Sequence, residues 1–265
     1  MRYVVVTSKQ LGLASLFVGL LASSESGGQN ALAVVLCRGG KTNGARSRSV
    51  RRRLRKIRRI GLLGAINGLR MRRWYGRHVS EALGLEDIHR ACDNARIPVI
   101  EIESFGDRDS QEAVRRLAPD LGISLGNGLI PESFFQIPRL GMINLHHELL
   151  PEYRGAQTAL WQLHDNSRQT GFSIHEVTQV IDGGRVLLRE SMPILFRRTL
   201  HQTIVQTAAA VQQKSVQRLV DVITGFDQYQ ATAVKASEGS LYTTPGGMAM
   251  LRIYRNYWRL RREEI

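Results

Sequence analysis

Gly141-Met142-Ile143-Asn144-Leu145-His146-His147-Glu148-Leu149-Leu150-Pro151-Glu152-Tyr153-Arg154-Gly155 is the stretch on which the architecture turns. Gly141 to Leu145 reads as a buried strand, and Pro151 and Gly155 keep the loop after it from continuing as a regular element. Asn144 and His146 are two apart, so at an extended strand end they face the same side. Their amide and imidazole can converge on one small group beyond the carboxyl end, where open parallel sheets take ligands.

Working outward, Arg2 to Thr7 is a β-branched strand, Leu11 to Ser24 a helix and Ala31 to Leu36 a second buried strand closed by Gly39-Gly40. Ser80 to Arg96 is expected as a helix, Pro98 to Ile100 as a strand, Ser110 to Leu117 as a helix and Leu121 to Leu125 as an apolar strand. Such alternation predicts an α/β fold, a Rossmann-like, mostly parallel twisted sheet with helices on both faces. Downstream, Thr170 to Val177 alternates with period two and Arg185 to Ser191 returns after Asp182-Gly183-Gly184, a hairpin pattern. Leu200 to Thr224 is a long helix stopped at Gly225, and Met248 to Arg262 reads as a basic helix. The expected organisation is a catalytic unit over 1–225, with a basic insertion at about 45–78, and an extension over 226–265. The opening Tyr3 to Thr7 strand precedes the apolar run Leu11 to Ala22, the wrong order for a signal peptide.

The 265 residues are 43% hydrophobic, which excludes wholesale disorder, and no apolar run reaches the roughly 18 to 20 residues of a membrane span. Two cysteines, Cys37 and Cys92, fit a reducing compartment, and a cytoplasmic location is expected. The net charge of +14 is local. Thirteen of the 37 basic residues fall between Arg46 and Arg77, where there is no acid, so the rest carries 24 basic against 23 acidic residues. Cations flank the apolar Gly61 to Ile66 and end at Trp74-Tyr75, as in an interfacial amphipathic element. Docking of residues 46–77 on an anionic membrane, at its inner face, is one expectation. A solvated helical insertion is another, and RNA binding a third.

No Gly-x-Gly-x-x-Gly follows Thr7 and no Gly-x-x-x-x-Gly-Lys-Ser/Thr occurs, so neither a dinucleotide fingerprint nor a phosphate loop is present. Adjacent His146 and His147 face opposite ways and nothing else has ligand spacing, so no metal is expected. Taken singly, Asn144, His146 and Asp182 are explained equally well as cap, filler and turn residues.

Together with Thr170-Gly171-Phe172-Ser173-Ile174-His175 and Val180-Ile181-Asp182-Gly183-Gly184, the opening stretch resembles the folate-dependent formyltransferase family. That family comprises glycinamide ribonucleotide, methionyl-tRNA and sugar N-formyltransferases. The shared pattern is Asn-x-His, Leu-Leu-Pro-x-x-Arg-Gly, Thr-Gly-x-Thr-x-His and Asp-x-Gly, in order, covering about 119–190. The resemblance implies a formyltransferase-type sheet and 10-formyltetrahydrofolate as formyl donor, with no metal. It implies Asn144, His146 and Asp182 as the catalytic set, and a pterin held largely by main chain at Leu125, Gly126, Asn127, Gly128, Val180, Ile181 and Gly183. His175 matches a position often occupied in the family, expected to pack or to support. His147 replaces the usual Pro, and Glu148 a common Ser.

The expected reaction is formyl transfer to a small-molecule primary amine. The first loop lacks a Gly-rich phosphate holder, and the roughly 40 residues after Gly225 are too few for a typical OB-type barrel. By that elimination the acceptor is expected to be an amino sugar on a nucleotide or lipid carrier. Methionyl-tRNA is the alternative acceptor. The alternative of another class is a non-catalytic module recognising a nucleotide sugar or RNA.

Overall fold

The computed structural model describes residues 1–23, 28–39, 61, 63–155, 157–235 and 239–263. The first third runs β1 (Tyr3–Thr7), α1 (Leu13–Ser23), β2 (Ala31–Cys37) and a helix α2 over 63–72. A π-helical turn, Arg73–His78, leads from α2 into α3 (Val79–Ala82). There follow α4 (Ile88–Ala95), β3 (Val99–Ile102), α5 (Arg108–Arg115), β4 (Leu121–Ser124), α6 (Glu132–Phe135) and β5 (Met142–His146). The remainder is β6 (Tyr153–Arg154), α7 (Leu160–His164), β7 (Gln169–Glu176), β8 (Val186–Pro193), α8 (Leu200–Thr224), α9 (Phe226–Ala231), β9 (Ser240–Leu241) and α10 (Gly247–Arg262).

The seven-stranded sheet has the order β3-β2-β1-β4-β5-β7-β8. Its first five strands are parallel, β7 adds antiparallel to β5, and β8 returns antiparallel to β7 as the hairpin pattern predicts. The chain winds one way from β1 through β2 to β3 and the other way from β4 to β5, so the topological switch lies between β1 and β4. Alternate residues of β1 feed two cores. Tyr3 and Val5 pack with Phe17 of α1 and Leu219 of α8, while Val4 and Val6 pack with Phe134 and Phe135. Burial on both faces explains why these strands read as unbroken apolar runs.

Two expectations change. The helix expected over Ser80 to Arg96 is two helices, because Gly84 takes φ +60° and Asp87 restarts the chain, its carboxylate accepting the His89 N–H at 2.9 Å. The strand expected over Gly141 to Leu145 starts one residue later, because Gly141 lies at φ +76°.

The run expected to be basic at 46–59 lies outside the described residues, but its C-terminal continuation is no appendage. Met71, Trp74 and Val79 share a third core with Leu160 and Leu163 of α7, Leu200 and Ile204 of α8, and Met250, Ile253, Tyr257 and Leu260 of α10. The tail likewise folds back: α10 is bolted to α7 by the Asn256 amide, which donates to the Leu163 and His164 carbonyls at 2.9 and 2.8 Å. Met71 and Trp74 of the expected insertion and the four α10 residues of the expected extension are thus buried in one interior, against side chains of α7 and α8.

Candidate active site

β5 lies one strand beyond the topological switch, next to β4, and Asn144 and His146 leave its end on the same side, facing a cleft of about 1020 Å³. Antiparallel pairing sets His175 of β7 directly opposite Asn144. The third predicted group, Asp182, arrives on the loop after β7, with its backbone in the left-handed region at φ +50°, which a short polar side chain tolerates.

The loop Leu149 to Gly155 is what fixes that aspartate. The Gly155 N–H donates to Asp182 Oδ2 at 3.0 Å, and Arg154 Nε donates to the Ile181 carbonyl at 3.1 Å. Gly155 lies at φ +63°, and a Cβ there would come within 3.0 Å of the Leu241 side chain. Further back, Ser173 Oγ receives the Leu150 N–H at 3.0 Å and donates to the Glu148 carbonyl at 2.9 Å, tying the loop to β7. The Arg-Gly and Asp-x-Gly motifs are thus two halves of one clamp.

Asp182 reaches 3.8 Å from His146 Nε2 with one oxygen and 3.8 Å from His175 Nε2 with the other. The His146 and Asp182 side chains keep 15% and 13% exposure, enough to meet a ligand, while His175 keeps 4%. The hydrogen bonds of His175 identify its tautomer. Its Nδ1 lies 2.9 Å from the Glu176 carbonyl, which only accepts, so Nδ1 carries the proton. Nε2 is then an acceptor for the Asn144 amide at 3.1 Å. Burial and the neighbouring His146 push the His175 pKa down to about 4, so the ring is neutral near pH 7. The Asn144 amide is thus held by His175 while its side chain lines the cleft.

Gly126, Asn127, Gly128, Val180 and Ile181 all line the cleft. The Leu125 side chain turns into the main core, and Gly183 is tucked beneath Val180. Exposed Leu129, Val180 and Ile181 give the mouth an apolar rim. Volume and apolar rim suit a flat heteroaromatic ligand.

Several lining residues carry no motif in the sequence. Tyr75 and Arg77, from the π-helical turn, enter the cleft wall, as do Lys9 after β1 and Gln212 of α8. The Tyr75 hydroxyl donates to the Thr158 carbonyl, and burial raises its pKa well above the usual value. The only sequence signal for Tyr75 was an aromatic pair beside an arginine run. The residue types at 147 and 148, where the chain departs from the pattern, are also accounted for. His147 approaches Ser215 Oγ of α8 at 3.4 Å, and burial, with His146 beside it, lowers its pKa to about 3. Glu148 is fully buried under the loop and accepts from the Gln162 amide, and burial raises its carboxyl well above the usual range. Among the described residues no group of three or more His, Cys, Asp or Glu could hold a metal ion.

A family model described as formyl transferase matches residues 77–223. A methionyl-tRNA formyltransferase from Parabacteroides distasonis is 31% identical over 149 residues, 55% of this chain and 46% of that protein. The chain therefore spans less than half the length of that curated relative. A solved sugar N-formyltransferase from Shewanella sp FDAARGOS_354 superposes with TM-score 0.56 at 16% identity, covering 98% of this chain and 87% of the other. An N-formyltransferase from Helicobacter canadensis, solved with folinic acid and dTDP-3-aminofucose, gives 0.55 at 11% identity, covering 97% and 80%. At such identities the two structures share the fold.

Proposed function

This chain belongs to the formyl transferase family, and we propose that it moves a formyl group from 10-formyltetrahydrofolate to a primary amine. The observation that supports this reading is the meeting of Asn144, His146 and Asp182 around one point at the end of β5, with His175 behind them. Asn144, oriented by His175, presents its free N–H to the formyl oxygen, and His146 presents its imidazole. Together they stabilise the negative charge that grows there as the amine nitrogen bonds to the formyl carbon. Asp182 collects the proton the amine loses, directly or through a water, and the bond from the formyl carbon to the folate nitrogen breaks as that nitrogen regains a proton. No side chain forms a covalent intermediate. The exposed Val180 and Ile181, with the main chain of 126–128, hold the pterin.

The acceptor we propose is an amino sugar on a nucleotide or lipid carrier. The cleft wall contributed by Tyr75, Arg77 and Gln157 offers polar and cationic groups suited to a sugar and its phosphate. Release of tetrahydrofolate, measured with nucleotide-linked amino sugars, glycinamide ribonucleotide and methionyl-tRNA in parallel, tests it. Turnover confined to amino sugars supports the reading. Turnover with methionyl-tRNA alone replaces the acceptor, and folate binding without turnover on any amine turns the chain into a binding module.

A further inference from the structure

We propose that the joint outer face of α2 and α10 docks the protein on an anionic lipid surface. The exposed positions of α10 fall on a single stripe at helical spacing. Three are large and apolar: Met248, 80% exposed, Leu251, 64% exposed, and Trp258. The others are Arg252, Arg255, Arg259 and Arg262. No carboxylate shares the stripe, and Glu263 at its end turns to Arg168 at 2.7 Å. The exposed stripe of α2 has the same character, with Leu63, Ile66 and Leu69 followed by Arg72 and Arg73.

The two stripes adjoin. A Cβ built on Gly247 would meet the Leu63 side chain at 3.3 Å, and one on Gly68 would meet Thr244 at 3.4 Å. Beneath them Arg70 stacks over the Trp74 and Tyr254 rings at 4.8 and 5.9 Å, fastening one helix to the other. The third core described above holds both helices from below, so the face is built rather than trailing. Next to Trp258 a cavity of about 470 Å³ adds Arg198, His201 and Arg261, again without a carboxylate.

The composition selects the occupant. Aliphatic side chains interleaved with arginines match an interfacial helix, whose apolar groups enter the acyl boundary while guanidinium groups meet lipid phosphates. A second copy related by a two-fold axis would set arginines against arginines. An RNA backbone gains nothing from Leu63, Ile66, Leu69, Met248 or Leu251. Among the described residues no helix is long and apolar enough to cross a membrane, so the contact is peripheral.

The test is flotation of the full chain with vesicles of phosphatidylcholine alone or mixed with phosphatidylglycerol. It reads partitioning and needs no turnover, so it stands or falls separately from the proposed activity. Binding is expected only with the anionic vesicles and is expected to weaken with salt. Arg252→Gln, Arg255→Gln and Arg259→Gln combined lower partitioning on the order of 100-fold. Met248→Ser with Leu251→Ser also releases the protein. Both positions are exposed, so an unchanged thermal midpoint accompanies the loss. Brominated acyl chains quench a Trp emission that Trp258→Phe removes. Equal partitioning on both vesicles, no partitioning, displacement by RNA, or a dimer that protects this face overturns the proposal.

Discussion

Replacing Asn144 by Ala and His175 by Phe, singly and together, tests how the site polarises a formyl oxygen. Asn144→Ala deletes a donor aimed at developing charge, a loss worth about 100- to 1000-fold in kcat. His175→Phe keeps an aromatic ring, somewhat larger and apolar, in a nearly closed site but removes the acceptor 3.1 Å from the Asn144 amide. A neutral hydrogen bond nets about 0.5 to 1.5 kcal/mol, so losing the one that orients the amide lowers kcat about 2- to 12-fold. Because His175 works through Asn144, the double variant falls no further than Asn144→Ala alone. Tetrahydrofolate release under saturating donor, with the amine acceptor found in the panel above, measures all four corners of the cycle. Thermal melts confirm that each variant is folded. Losses that multiply in the double variant refute the relay from His175 to Asn144 and give His175 a role of its own.

Asp182→Asn keeps an acceptor for the Gly155 N–H but cannot take a proton, so kcat drops about 100-fold or more with donor KM little changed, as steady-state kinetics show. Gly155→Ala forces a Cβ against Leu241 at a φ of +63° and loosens the clamp on Asp182. Chemical denaturation registers a loss of about 1 to 2 kcal/mol, with a fall in kcat. Stability follows pH with two opposed signs. His147 and His175 resist protonation in the fold, at about 3 and about 4, while the unfolded chain takes protons at about 6.5. Stability therefore falls as pH drops from about 6.5 towards 4, and His147→Gln makes that limb shallower in melts across pH. Glu148 has the opposite effect, since the fold keeps a proton that the unfolded chain releases above about 4.5. Glu148→Gln accordingly raises the melting point at neutral pH, and the gain disappears below about pH 4.

The strands around the switch were legible because each is buried on both faces, which leaves an uninterrupted apolar signature. Long α8 was legible for a different reason. Its apolar spacing and the stop at Gly225 were visible, while the capping box of Thr199 and Gln202 at its start emerged from the structure. The break at Gly84 was missed because one glycine in a helical pattern is tolerated as often as it terminates. His175 was undervalued for want of a partner: in the chain it lies 31 positions from Asn144, and only the antiparallel register of β5 and β7 makes them neighbours.

By itself the sequence determined the strand-helix alternation and the same-side exit of Asn144 and His146, since these depend on local propensity and short-range periodicity, and it carried, in order, the motifs by which the chain resembles formyltransferases. Tertiary structure alone decided that Arg154 and Gly155 hold Asp182 in place. It also decided that Tyr75 and Arg77 wall the cleft, and that the segment before α3 and the C-terminal helix share a core and an outer face. Those pairings join residues 27 to about 190 positions apart; the clamp on Asp182 is made by hydrogen bonds and the shared core by non-directional burial of apolar surface, and neither leaves a local imprint on the residues it brings together.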